Sequence, residues 1–235
     1  MTTQLLSKFS DLIARLEAIR RDIVCTCEID YESQDARMVA LDSLQEAIDS
    51  VRMWFTAGSS LRNVHMKDGG RLDECSYLKS LGSNRNIDHT EDCMVKILRL
   101  GLIVLVHFSI ENLFKNILKH INKLPAKQNY SNLTEAIMRV CDLKESGTER
   151  ECLKAFSYIR NSLHNNGIHQ ATDLSLKLDG HDFIFKKGER VECASFDHII
   201  VLLNSNVEVL RKILLSPKLI LVTKGEIKDD FASGV

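Results

Sequence analysis

The stretch "YIRNSLHNNGIH", residues 158–169, gathers one arginine, two histidines and three asparagines. Arg160 and His164 are four residues apart, so on a helix they share a face, one turn over the other. Projected at the helical repeat, Cys152, Phe156, Ile159 and Leu163 form an apolar stripe. The Arg160–His164 face borders that stripe, and Asn161 points further out. A guanidinium can hold two phosphate oxygens in a fork and stabilise charge developing on them. An imidazole can move protons near neutral pH. Together they are sufficient for attack of a ribose 2′-hydroxyl on its own phosphodiester, which needs no metal. A plainer reading is also open, because a histidine near a helix C-terminus often meets the last carbonyls.

The elements around this stretch are read from periodicity. Leu5, Phe9, Leu12, Leu16, Ile19 and Ile23 recur at helical spacing within residues 3–27. A second amphipathic helix is expected over about 34–55, with Leu41, Leu44, Ile48, Val51 and Phe55 on one stripe. The two form an N-terminal helical hairpin, residues 1–57. Residues 58–90 carry glycine, serine and asparagine without a period, and read as a loop with a short helical turn near Tyr77–Leu81. A long helix follows from Glu91 to before Pro125, with Met94, Ile97, Leu98, Leu102, Leu105, Phe108, Leu113 and Ile117 as its apolar positions. A shorter helix is expected with Ser131 or Asn132 as its cap and Glu135 as capping-box partner. The next begins at Thr148, with Glu149 and Glu151 in the dipole-favoured first turn, and stops at Asn166–Gly167. Alternation on both sides of Asp179–Gly180 marks a β-hairpin within 173–192. A last long helix covers about 195–215, and residues 219–235 read as a frayed tail.

Composition narrows the function classes. Lys plus Arg total 31 and Asp plus Glu total 32, so the chain lacks the global positive field of a typical DNA binder. Only Pro125 and Pro217 interrupt it, which favours long helices. Lys8, Asp11 and Arg15 break up the apolar residues that a secretory leader would need. The longest apolar run, around Leu100–Val106, is shorter than a bilayer span. The expectation is a cytoplasmic chain with reduced, buried thiols and no membrane partner. His65, Cys75, His89 and Cys93 have zinc-ligand chemistry but irregular spacing, so neither a metal nor another cofactor is expected. Phosphate-loop, dinucleotide and HExxH patterns are absent, which counts against nucleotide hydrolysis and zinc proteolysis.

"RNSLHNNGIH", followed by "LSLKLDGHDFIFKKGERV" and a terminal helix, resembles the HEPN superfamily, whose members carry Arg and His late in a helix of an all-α bundle. The earlier helix with "VHFSIENLFKNIL" is similar to that family's core helix, and the resemblance covers roughly residues 91–216. It implies a mainly α, HEPN-type bundle over 91–218, with one small hairpin before the last helix. It implies a metal-independent endoribonuclease, leaving a 2′,3′-cyclic phosphate, that serves as a toxin or antiviral defence effector. RNA would be the substrate, a homodimer or larger oligomer the working unit, and an antitoxin or regulatory protein a further partner. Arg160, Asn161 and His164 would be catalytic, with Glu111, His169 and Asn165 in support. Three residues separate Arg160 from His164, a shorter gap than the family's usual one, and eight separate Arg160 from His169. The alternatives are a non-catalytic HEPN-like module that binds a protein, nucleotide or RNA, and a plain helical scaffold.

Overall fold

The computed structural model describes residues 2–67, 87–143 and 147–229. They form α1 (Thr2–Cys27), α2 (Ala36–Lys67), α3 (Ile87–His120), α4 (Tyr130–Val140), α5 (Thr148–Leu163), β1 (Leu174–Leu178), β2 (His181–Phe185), α6 (Phe196–Leu214) and α7 (Pro217–Val222). The described chain is mainly helical, with one antiparallel hairpin before the last helices.

Every member of the α1 stripe from Leu5 to Ile23 is buried, as are Leu41, Leu44, Ile48 and Val51 of α2. These faces do not close on each other alone. α2 also packs on α3 and α1 on α6, and one continuous core joins them to the rest. The N-terminal hairpin therefore belongs to the same packing unit as the bundle.

The hairpin follows its pattern. Leu176 pairs with Phe183 and Leu174 with Phe185. Leu176, Leu178, Phe183 and Phe185 are buried against the bundle. Asp179 and Gly180 both have positive φ, 45° and 78°, the turn whose twist matches paired strands.

Several sequence expectations change. Helix replaces the expected loop at both its ends, since α2 continues to Lys67 and α3 starts at Ile87. The remainder of that loop, residues 68–86 with the turn at Tyr77–Leu81, lies outside the described residues. Asn129, not Ser131 or Asn132, caps α4, its side chain accepting from the Asn132 amide at 2.9 Å. Glu135 is drawn instead to Arg150 of α5. Cys25 is exposed although its neighbour Cys27 is buried.

The expected tail is ordered as far as Asp229. Leu219 and Ile227 are buried, and a buried ion pair anchors the segment. Arg37 donates to Asp35 through Nε and Nη2, both at 2.8 Å, and to the carbonyls of Thr223 at 3.1 Å and Gly225 at 2.7 Å. Asp35 in turn accepts from the Ile227 amide at 2.7 Å. Periodicity could not show this, because the contacts join residues almost two hundred positions apart.

Helix α3 also departs from its expected burial. Leu102, Ile103, Val106, Ile110, Leu113 and Ile117 are inside, but Ile97, Leu100, Val104, Leu105 and Phe108 are exposed at helical spacing. By length and composition Cys93–His120 is apolar enough to cross a membrane, contrary to the reading of the shorter run. Only 28% of its most apolar window is buried in the fold, fewer residues than a core helix would cover.

Candidate functional site

Helix α5 positions the expected residues. Cys152, Leu153, Ala155, Phe156 and Ile159 root it in the core. Its remaining face carries Arg150, Lys154, Ser157 and Asn161, a polar stripe at spacings of four, three and four. The helix ends as its residues suggest. His164 is the C-cap and keeps near-helical angles, φ −73° and ψ −14°, so it stays one turn beyond Arg160. Asn166 and Gly167 then take positive φ, 54° and 84°, and stop the helix.

Arg160 is half-buried at the rim, and Asn161 and His164 are exposed. Arg160 donates from Nη1 to Asn161 Oδ1 at 2.9 Å, and Asn161 Nδ2 donates to Ser157 Oγ at 3.3 Å. This chain holds the guanidinium along the edge of α5. The imidazole of His164 meets no hydrogen-bond or ion-pair partner among the described residues. Asn165 donates from Nδ2 to the carbonyl of Asn161 at 3.1 Å, which fits a helix-end brace better than a group facing a substrate.

His169 lies elsewhere. It is buried, with its ring 4.4 Å from that of Tyr158 and 5.5 Å from that of Phe185. Its Nε2 is 3.0 Å from the Thr172 carbonyl. It braces Tyr158, whose hydroxyl is 2.7 Å from Thr172 Oγ1, and it does not reach the rim that exposes His164.

Behind Arg160 lies a polar nest that the sequence reading did not assemble. The imidazole of His107 on α3 is buried and stacks on Tyr130 of α4, ring centroids 4.3 Å apart. Its Nδ1 is 3.5 Å from Glu111 Oε2 one turn on. Burial, reinforced by the positive charge of Arg160, lowers the His107 pKa to about 4. The imidazole is then neutral at pH 7, and its contact with Glu111 is polar rather than an ion pair. Burial raises the Glu111 carboxyl, against the opposing pull of Arg160 and Lys115. Burial, then the Glu111 charge, pushes up the Tyr130 phenol. Glu111 and His107 thus lie within the field of the Arg160 charge, and Tyr130 within that of Glu111. Tyr130 was hidden because nothing local distinguishes it from an ordinary helix-start aromatic.

His107 makes stability depend on pH. Its folded pKa is below its ordinary 6.5, so below that value the unfolded chain binds more protons. Stability is complete above pH 6.5 and falls as pH drops towards 4, by up to about 3 kcal/mol for this group. Glu111 opposes part of that loss, because its raised carboxyl takes up a proton early in the folded state. His107→Phe isolates the effect. It is expected to shrink the stability difference between pH 7 and pH 4.5 in urea unfolding. An unchanged difference would remove His107 as its source.

A cleft of about 540 Å³ opens between the start of α4 and the polar stripe of α5, with Ala171 and Thr172 also in its lining. Asn161 lines it, so the cleft adjoins Arg160. Tyr130 and Thr134 are among its lining residues, but their hydroxyl oxygens are closed off from solvent and have no hydrogen-bond partner among the described residues. Each such group costs about 1–3 kcal/mol.

Among the described residues no three His, Cys, Asp or Glu side chains gather as metal ligands. Of the four zinc-type residues singled out in the sequence, only the Cys93 side chain is described. Comparison of the chain with protein-family models, with curated proteins and with solved structures returns no significant match.

Proposed function

We propose that this chain is a HEPN-type, metal-independent endoribonuclease acting in the cytoplasm as a toxin or antiviral defence effector. The observation that carries the reading is the α5 edge. There Arg160 is half-buried and held by Asn161, Glu111 and His107 lie within its field, and His164 stands exposed one turn further on. A phosphodiester laid across this edge would meet the Arg160 guanidinium through its non-bridging oxygens. The ribose 2′-hydroxyl gives up its proton as its oxygen attacks phosphorus, the bond to the 5′-oxygen breaks and that oxygen takes up a proton; His164 carries one of these two transfers, and water or a second copy's His164 the other. The products are a 2′,3′-cyclic phosphate and a 5′-hydroxyl. Glu111 serves to orient Arg160, and Asn161 to hold it or to donate to a phosphate oxygen.

The test is incubation of purified protein with cellular RNA in the presence of a chelator. Cleavage leaving 5′-hydroxyl ends is expected. A 5′-phosphate product, or complete loss of activity with chelator, would refute the mechanism.

One Arg–His edge offers a single cation and a single proton carrier, whereas in-line attack is helped by an acid and a base on opposite sides. A homodimer with a two-fold axis beside Arg160 and His164 would supply both. Mixed assemblies of wild type with His164→Ala are therefore expected to show reduced activity per wild-type chain. Full activity from a monomer at high dilution would exclude the dimer. An antitoxin or regulatory protein would restrain such an enzyme in its host.

A second reading is a non-catalytic HEPN-like module that binds a protein, nucleotide or RNA. It is favoured by the exposed His164 ring, which nothing among the described residues orients. Binding of RNA without cleavage would select it.

A further inference from the structure

We infer that the connection between α3 and α4 carries an RNA strand away from the α5 edge, its phosphates held by Lys115, Lys119, Lys123 and Lys127. The inference rests on the ribonuclease reading of that edge. From Asn112 to Thr134 the chain has no aspartate or glutamate, and these four lysines recur in it at intervals of four, in a molecule whose net charge is −1. Lys119, His120, Lys123 and Lys127 are exposed. Asp229 meets the start of the stretch at Asn112, but it is buried, 6% exposed.

The run begins at the candidate site. The charges of Arg160 and Lys115 both act on the Glu111 carboxyl, one from α5 and one from α3, so both cations lie close to it. Lys119 is one turn further along the same face of α3, about 5.4 Å along the axis. Beyond the helix the backbone places the next two. Asn122 takes positive φ, 55°, and the Lys123 amide donates to the Leu118 carbonyl at 2.8 Å, which folds Lys123 back against the helix end. The Lys127 carbonyl accepts from Asn132 Nδ2 at 3.0 Å, which fixes Lys127 beside the start of α4. The dipole of α3 accounts for Lys119 and His120 in its last turn, but that field falls off within the turn and does not explain Lys123 and Lys127. A polyanion does. A single RNA strand carries one phosphate per nucleotide, and a row of lysines that starts beside Arg160 matches it. Lysine is a compact charge without a fork to read base edges, so the track positions RNA without choosing its sequence.

The experiment measures binding of the full chain to a short, unstructured 2′-O-methyl RNA, which cannot be cut through its 2′ position, over a series of salt concentrations. The double variant Lys123→Gln, Lys127→Gln is compared with Lys186→Gln, Lys187→Gln, which removes the same charge from two exposed lysines of the hairpin. The first pair is expected to weaken binding roughly tenfold at low salt and to flatten the plot of log affinity against log salt by about 0.7 per lost phosphate contact. The hairpin pair should change neither, and both variants should melt with the wild type because all four side chains are exposed. Equal weakening by the two pairs would reduce the effect to net charge and overturn the track. So would wild-type affinity and slope in the first pair. Anionic lipid vesicles bound more tightly than the RNA, with the same dependence on Lys123 and Lys127, would assign the lysines to a membrane instead. Failure of the ribonuclease reading looks different. RNA would then bind with its Lys123 and Lys127 dependence while none is cut, whereas cleavage of RNA with no such dependence would remove the track and leave the reading standing.

Discussion

Arg160→Ala is expected to reduce RNA cleavage by about a hundredfold to a thousandfold, the usual cost of losing a donor to transition-state charge. His164→Ala is expected to reduce it by a comparable factor, the contribution of a positioned proton carrier. The two variants differ in what else they change. His164 is exposed and its side chain contacts no partner among the described residues, so its removal should leave stability within about 0.5 kcal/mol of wild type. Arg160 lies beside His107 and Glu111, and its charge is one of the two causes that hold the His107 pKa near 4. Its removal should move that pKa upward, visible in the NMR titration of the His107 ring. His169→Ala is the contrast. It empties a buried space between Tyr158 and Phe185, so it should lower stability more than His164→Ala. Wild-type cleavage by both Arg160→Ala and His164→Ala would end the ribonuclease reading. A shifted His107 titration in the first would still establish the polar nest.

Arg37→Met is expected to destabilise the chain by about 3–5 kcal/mol. Asp35 and Arg37 are 0% and 1% exposed. Methionine fills most of the space but leaves the Asp35 carboxylate buried without its cation. The carbonyls of Thr223 and Gly225 lose a donor in the same step. The segment 223–229 is tied to the α1–α2 turn through these bonds, so its amide hydrogens should exchange faster in the variant. Urea unfolding measures the loss. A change no larger than the ~1 kcal/mol of a surface ion pair would show that the anchor contributes little.

How far these features could be read in advance follows from their range along the chain. The α1 stripe from Leu5 to Ile23, the Asp179–Gly180 turn and the stop at Asn166–Gly167 depend on neighbours within a few residues, and each forms as its pattern implies. The placement of His164 one turn past Arg160 is of the same kind. The cap of α4 was misplaced because several polar residues in a row can serve, and the one chosen depends on where the chain enters the bundle. On α3, Leu105 and Phe108 look like core, but burial is set by the neighbours that cover them.

By itself the sequence determined the helical class, the hairpin and its turn, the end of α5, and the sharing of one face by Arg160 and His164. All of these follow from backbone preference and hydrophobic period. Only the tertiary structure decided that His169 is packed away while His164 is exposed. Packing alone also brings His107, Glu111 and Tyr130 behind Arg160 and pins the C-terminal segment to Arg37. The physical reason is that charge and desolvation act through space. The pKa of His107 depends on an arginine more than fifty residues away, brought beside it when α3 and α5 pack together.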